Sequence, residues 1–293
     1  MRQKRVVALG MFDGVHMGHR AIFHSACQMA ETLQAEPYVV TFYNHPQTIF
    51  GQTPSLLTTT NEKRTLIQKL GLSPCLLPFT PEFAAQSDQD FLRFLLQEIE
   101  AVGIVVGFDY HFGHHAEGNI ETLQAFCAEK DIALQIVEPV LYQGKKVSSS
   151  RIREALVQGD LYNANTMLID PYAFEGKVAP HAQIGRGLGF PTANLAPGDK
   201  VIPKWGVYTS SVHIDGKTLP GITNVGIRPT FEEKGKVIIE THILDACGDL
   251  YDHSIRVTLL EFIRSERKFE SPEELKQAIQ ADCDHALAYH RKK

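Results

Sequence analysis

The stretch "GMFDGVHMGHR", residues 10–20, follows the apolar run "RVVAL" at 5–9 and leads into residues with helical spacing. Gly10 and Gly14 let the backbone turn tightly and approach a ligand. The helix start beyond them offers unpaired N–H groups and a partial positive charge. His16 and His19, three apart, both face that point, and Gly18 between them leaves room for a phosphate. The loop is neither the GxxxxGK[ST] of a P-loop nor a GxGxxG dinucleotide loop. It is HxGH. With 13 His and 22 Gly among 293 residues, roughly 0.04 chance matches are expected. Two histidines that merely cap a helix are the bland alternative, and position and spacing favour an anion site over it.

Working outward, the first half alternates short strands with helices. Strand-like runs are "YVVTF" (38–42), "PCLLPF" (74–79), "GIVVGF" (103–108) and "IALQIVEPV" (132–140). Helical stretches cover 18–33, 61–71 with Asn61 as N-cap, 87–99 with Ser87 as cap, and 119–130. Apolar strands separated by helices predict a parallel sheet of βαβ units, with ligands outside the carboxyl ends of the strands. Residues 148–169 read as helical, broken near Gly159-Asp160. Beyond "DPY" (170–172) glycine and proline become frequent. "GVYTSSVHI" (206–214), "KVIIETHILD" (236–245) and "SIRVTLLEFI" (254–263) then predict an antiparallel, closed or nearly closed β-module. A last helix starts at "SPEE" (271–274), with Ser271 as N-cap and Glu274 completing a capping box. The fold class is therefore α/β: a Rossmann-like domain over 1–169, then an antiparallel barrel with a terminal helix over 170–293.

Composition agrees with two ordinary domains: 43% hydrophobic, 22% charged and a net charge of −5. That charge argues against a general nucleic-acid binder but not against a local anion site. The apolar stretch near the start is too short for a signal sequence, and no run is long enough for a membrane span. Five scattered cysteines without CxxC spacing read as reduced thiols in a cytoplasmic protein. "HFGHH" (111–115) reads as a solvated loop, because no carboxylate or cysteine stands at ligand spacing.

Two further stretches carry chemistry. In "VSSSRIR" (147–153) the serines can cap a helix whose N-terminus holds phosphate, and Arg153 can act as a fork donor. Alone, the stretch is an ordinary cap; paired with HxGH it is more. "GRGLGFPTANL" (185–195) allows close backbone approach and projects Thr192 and Asn194 oxygens, which suit Mg²⁺ and phosphate. A turn with a bulge is its bland reading.

HxGH in this place resembles the nucleotidylyltransferase superfamily. With "VVTFYNHP" (39–46), "LLTTTNEKRTLIQKLGL" (56–72), "VVGFDYHFG" (105–113), "VSSSRIREAL" (147–156), "GRGLGFPTANL", "NVGIRPTF" (224–231), "ETHILD" (240–245) and "FIRSERKF" (262–269), the whole chain resembles the bacterial bifunctional riboflavin kinase/FAD synthetase family. The resemblance implies phosphorylation of riboflavin by ATP to FMN, then adenylyl transfer from a second ATP to FMN, giving FAD and pyrophosphate. It implies catalytic roles for His16, His19, Arg153 and Glu240. Glu240 would be the base for the ribityl hydroxyl; a lone Glu in an alternating strand would otherwise be only an outward side chain. ATP would be held by Gly10, Phe12, Asp109, Phe112, Gly113, Ser149 and Ser150 in the first half, and by Gly185, Gly189, Thr192 and Asn194 in the second. Thr192 and Asn194 would ligate Mg²⁺, and His45, Pro46 and Arg264 would face the flavin. Met11, Asn44 and His111 depart from the family's usual residues. The expected partners are riboflavin, FMN, FAD and ATP, with no nucleic acid or membrane, in a monomer or weak homo-oligomer. Retention of only one activity, with the other half regulatory, is the alternative. A different phosphate-bearing acceptor or a flavin sensor would leave part of the motif set unexplained.

Overall fold

Val6, Val7 and Ala8 of β1 (Arg5–Leu9) are fully buried. A strand covered on both faces belongs in the middle of a parallel sheet. The structure, a computed structural model, describes residues 3–51, 55–178, 190–228, 236–244 and 253–292. They divide into two units, Met1–Ser149 and Ser150–Lys293.

In the first unit β1 is followed by α1 (Met17–Leu33), β2 (Glu36–Phe42), α2 (Thr60–Lys69), β3 (Ser73–Leu77), α3 (Pro81–Ala84), α4 (Asp88–Gln97), β4 (Ala101–Gly107), α5 (Ile120–Lys130) and β5 (Ala133–Val137). The five strands are parallel, in the order β3-β2-β1-β4-β5. The chain builds outward from β1 to β3, then crosses to the other side of β1. The switch point lies between β1 and β4, where open sheets bind ligands. Leu9, Val40, Leu92, Leu95, Ile104 and Leu123 pack the core on one side of the sheet. A hairpin of β6 (Leu141–Tyr142) and β7 (Lys145–Lys146) closes the unit.

One predicted cap needs correction. α2 is capped by Thr59, not Asn61: Thr59 Oγ1 accepts from Glu62 N at 3.2 Å, while Glu62 Oε2 accepts from Thr59 N at 2.6 Å. That reciprocal pair is a capping box, which Asn61 has no equivalent of. Ser87 does cap α4.

The second unit carries most of α6 (Ser149–Gln158), then α7 (Leu161–Met167), β8 (Ala173–Lys177), β9 (Thr192–Leu195), β10 (Gly206–Ile214), β11 (Lys217–Arg228), β12 (Lys236–Ile243), β13 (Ser254–Arg264) and α8 (Pro272–Arg291). Asp160 starts α7 where the sequence predicts a break. The six strands run antiparallel in the order β8-β13-β10-β11-β12-β9. The outer strands approach each other: a Cβ on Gly176 of β8 would stand 3.4 Å from Leu195 Cδ2 of β9. The sheet is therefore a nearly closed barrel. Ser271 caps α8, but the Glu274 carboxylate accepts from Glu270 N at 3.0 Å rather than from the cap residue, so no capping box forms. The cysteines among the described residues are unpaired.

Candidate functional site

In the first unit, the loop between β1 and α1 holds Phe12 (φ 51°), Gly14 (φ 83°) and Val15 (φ 40°) in the left-handed region. For Phe and Val that conformation is costly and persists only where surroundings impose it. Two buried charges do so. The Asp13 carboxylate accepts from Leu57 N at 3.0 and 3.1 Å, from Thr58 N at 3.1 Å and from Thr58 Oγ1 at 3.2 Å. Lys63 Nζ donates to Met11 O (3.1 Å), Thr41 Oγ1 (3.3 Å) and Phe42 O (2.6 Å). Three acceptors satisfy the three ammonium donors. Burial lowers the Lys63 pKa to about 8, with the Asp13 charge opposing that shift. Neither residue stood out in the sequence, where 61–71 shows only a helical pattern.

His16 and His19 cap each other. His16 Nδ1 accepts from His19 N at 3.4 Å, and His19 Nδ1 accepts from His16 N at 3.3 Å. Their rings stack 3.6 Å apart at 19°. An Nδ1 that accepts a peptide N–H places the ring proton on Nε2. Burial, then the neighbouring His16 and Lys63, hold the His19 pKa well below the ordinary histidine value. His19 is therefore a neutral Nε2–H donor at physiological pH.

The space at Gly18 corrects one expectation. A Cβ there would stand 3.1 Å from His16 Cε1, so the glycine makes room for the His16 ring rather than for a phosphate. Phe12 is buried, with its ring edge-on to His19 at 5.2 Å and 4.6 Å from Phe23. A Cβ on Gly10 would meet the Phe12 ring at 2.9 Å. Both residues thus support the histidines. Ser149, first residue of α6, donates its hydroxyl to Asp13 O at 2.9 Å, which joins the second motif to this loop. Ser150 and Arg153 follow in the first turns of the same helix, in the part that belongs to the second unit.

Beside the loop lies a cavity of about 560 Å³. Gly10, Pro46, Phe112 and Gly113 line it, with a wall of phenylalanines from β2 and the segments after β3. Gly113 has φ 76°, and a Cβ on it would stand 2.7 Å from Asp88 N. His45 is not among the lining residues; its Nδ1 accepts from Gln47 N and caps the turn that Pro46 begins. Asp109 is exposed and paired with Lys146. Asn44 is structural: its amide donates to Phe79 O and accepts from Phe79 N, both at 2.8 Å. His111 Nδ1 lies 3.0 Å from Asp109 O.

In the second unit, register brings the predicted residues together. Asn194 pairs with Glu240, Glu240 with Asn224, Asn224 with Val207, and Val207 with Arg264. One row across five strands thus carries Asn194, Glu240 and Arg264, which lie far apart in sequence. Directly paired residues share a sheet face, as do alternate residues of one strand. Thr192 and His242 therefore join the same face. Thr192 Oγ1 donates to Glu240 Oε1 at 2.7 Å. Thr192, Asn224, Glu240, His242 and Arg264 line a cavity of about 520 Å³. Gly185 and Gly189 lie outside the described residues.

Asn194 Oδ1 is buried with no hydrogen-bond partner. A buried carbonyl acceptor left open, two residues along β9 from a hydroxyl on the same face, offers oxygen donors of the kind a hard cation takes, although Asn194 itself does not line the cavity. Thr192 and Asn194 could thus hold Mg²⁺. Among the described residues no group of three or more His, Cys, Asp or Glu is placed to hold a metal. No motif marks Asp282 of α8, which takes the Arg264 guanidinium at 2.8–3.1 Å.

Fold and sites define a two-module protein, with a nucleotidylyltransferase-type Rossmann-like module and a riboflavin-kinase-type barrel. The family pattern for FAD synthetase matches residues 1–151, and that for riboflavin kinase matches 168–290. The protein named bifunctional riboflavin kinase/FMN adenylyltransferase in Bacillus subtilis strain 168 is 34% identical, covering 98% of this chain and 92% of the relative. Proteins of that name in Pseudomonas fluorescens and Escherichia coli K12 are 35% and 34% identical, covering 97% and 94% of this chain and 92% and 90% of theirs. A crystal structure described as a macrolide-efflux protein from Streptococcus pneumoniae aligns with a TM-score of 0.90 at 30% identity, over 98% of this chain and 95% of that one. In this chain no helix among the described residues is long and apolar enough to cross a membrane. The chain belongs to the bifunctional riboflavin kinase/FMN adenylyltransferase family.

Proposed function

We propose that this protein makes FAD from riboflavin in two ATP-dependent steps, with residues 1–169 and 170–293 as the adenylyltransferase and kinase domains. In the kinase step, Glu240 accepts the proton of the ribityl 5′-hydroxyl as its oxygen attacks the γ-phosphorus of ATP; the bond to the β-phosphate oxygen breaks, leaving FMN and ADP. Thr192 and Asn194 would hold Mg²⁺, which would supply charge neutralisation at the phosphates there. Arg264, fixed by Asp282, lines the cavity in the same row as the base.

In the second step a phosphate oxygen of FMN attacks the α-phosphorus of a second ATP, and pyrophosphate leaves. The nucleophile is already anionic, so positioning and charge stabilisation carry the reaction. His16 and His19 supply aligned Nε2–H donors for phosphate oxygens. Arg153 is assigned the fork donor role, and Ser149 and Ser150 the helix N-terminus that takes phosphate. Asp109, Phe112 and Gly113 are assigned to the adenosine side, Gly10 and Phe12 to ATP through support of the loop, and His45 and Pro46 to the flavin side. Gly185 and Gly189 keep their ATP assignment from the motif. We place the enzyme in the cytoplasm, as a monomer or weak homo-oligomer that needs neither nucleic acid nor membrane.

The observation that carries this reading is the cross-strand row that joins Asn194, Glu240 and Arg264. Incubation with riboflavin, ATP and Mg²⁺, followed by chromatography of the flavins, tests it. FMN should rise first and FAD follow, with pyrophosphate appearing in step with FAD. Formation of only one of the two products would contradict it.

A further inference from the structure

Gln86 lines the cavity of the first unit, and its Oε1 is buried with no hydrogen-bond partner. A buried amide acceptor left unmade costs more than a formed bond contributes, so such a group calls for an explanation. The backbone there is held on both sides. Gln86 N donates to Phe83 O at 3.2 Å, and the next residue, Ser87, caps α4. The amide stands beside a chain of interlocked rings: Phe42–Phe79 at 4.9 Å, Phe42–Phe83 at 5.2 Å, Phe83–Phe91 at 6.1 Å and Phe91–Phe112 at 5.6 Å. Aromatic walls with one convergent polar group suit a planar heteroaromatic ring that presents an N–H at its edge.

Flavin and adenine both answer that description. The size of the cavity, about 560 Å³, favours the larger tricyclic ring. Its lining does too: it includes Pro46, assigned above to the flavin side, and does not include His16 or His19, although Phe112 and Gly113 from beyond β4 line it as well. We infer that Gln86 is a specificity-determining residue of the adenylyl step, its amide oxygen accepting the ring N3–H of the flavin. The inference rests on the flavin reading above. It adds a residue that none of the sequence motifs contains.

The test uses the full-length protein and two substrate pairs: FMN against N3-methyl-FMN, and ATP against N6,N6-dimethyl-ATP. The wild type should prefer FMN over its N3-methyl analogue about tenfold in kcat/KM, chiefly through KM. Gln86→Met, which keeps the length of the side chain, and Gln86→Leu should bring that ratio close to one. The preference between the two ATP analogues should stay as in the wild type. An unchanged flavin ratio in the variants, or a change confined to the adenine pair, would overturn the inference. Should both variants lack adenylyl transfer, quenching of flavin fluorescence by the wild-type protein decides; equal affinity for FMN and N3-methyl-FMN overturns the inference. Failure of the wild type to convert FMN at all would instead end the functional reading.

Discussion

Thr192 and Glu240 meet across the β9–β12 pair, the threonine hydroxyl donating to the carboxylate at 2.7 Å. Two residues along β9, Asn194 holds an open buried carbonyl. If this trio is the metal-and-base centre of the kinase, Thr192→Val and Asn194→Ala should raise the Mg²⁺ concentration that half-saturates FMN formation. Conversion of supplied FMN to FAD should show the wild-type Mg²⁺ dependence. An equal shift in both steps would show that the two residues do not serve the kinase alone.

The pH dependence of the adenylyl step follows from His19 and Lys63. His19 titrates well below the ordinary histidine value, mainly through burial. It is neutral above that range, so the rate of FMN adenylylation should stay level as pH falls from about 7, where Lys63 is fully charged, to about 6.5, the unperturbed histidine value. Lys63 is charged below about 8 and neutral above it. Loss of its proton removes a donor to Met11 O, Thr41 Oγ1 or Phe42 O, so the rate should fall above that pH. Lys63→Met should lower FAD formation by roughly 10²-fold, because a loop displaced by about 1 Å costs that much. It should also abolish the alkaline limb while leaving FMN formation unchanged. A variant with the wild-type alkaline limb would free Lys63 of this role.

Arg264 and Asp282 tie the end of β13 to α8. Asp282 is 4% exposed, so truncating either partner leaves a charge or an acceptor poorly satisfied. Asp282→Ala should destabilise the barrel by about 2–3 kcal/mol, read from denaturant unfolding. It should also raise KM for riboflavin, since Arg264 lines the cavity. Loss of less than about 0.5 kcal/mol, the range of ordinary surface changes, would make the contact incidental.

The parallel sheet was legible because β1 and β4 are apolar on both faces, as only covered strands are. β11 was not. Its sequence "KTLPGITNVGIR" holds Pro220, Gly221 and Gly226, residues that normally disfavour a strand. Pro220 is tolerated just beyond the stretch that β12 pairs, which begins at Gly221. β9 read as a glycine-rich loop because only four residues of it form a strand, and pairing with β12 holds them there. HxGH gave the location of the first site, but not that the two histidines cap one another. That depends on a loop strained into place by Asp13 and Lys63, whose partners are dozens of residues away. Asp282 was hidden for the same reason: a helix pattern marks it only as one more polar residue, and its partner comes from another element.

The central claim is that one chain holds two separate transfer sites. Its most direct test follows flavin products over time for His19→Ala and Glu240→Gln, with riboflavin or FMN as the starting flavin. His19→Ala should turn riboflavin into FMN at the wild-type rate and accumulate it, with FAD formation down by ~10²-fold or more. Glu240→Gln should make no FMN yet convert supplied FMN to FAD normally. Equal loss of both steps in either variant would contradict the account.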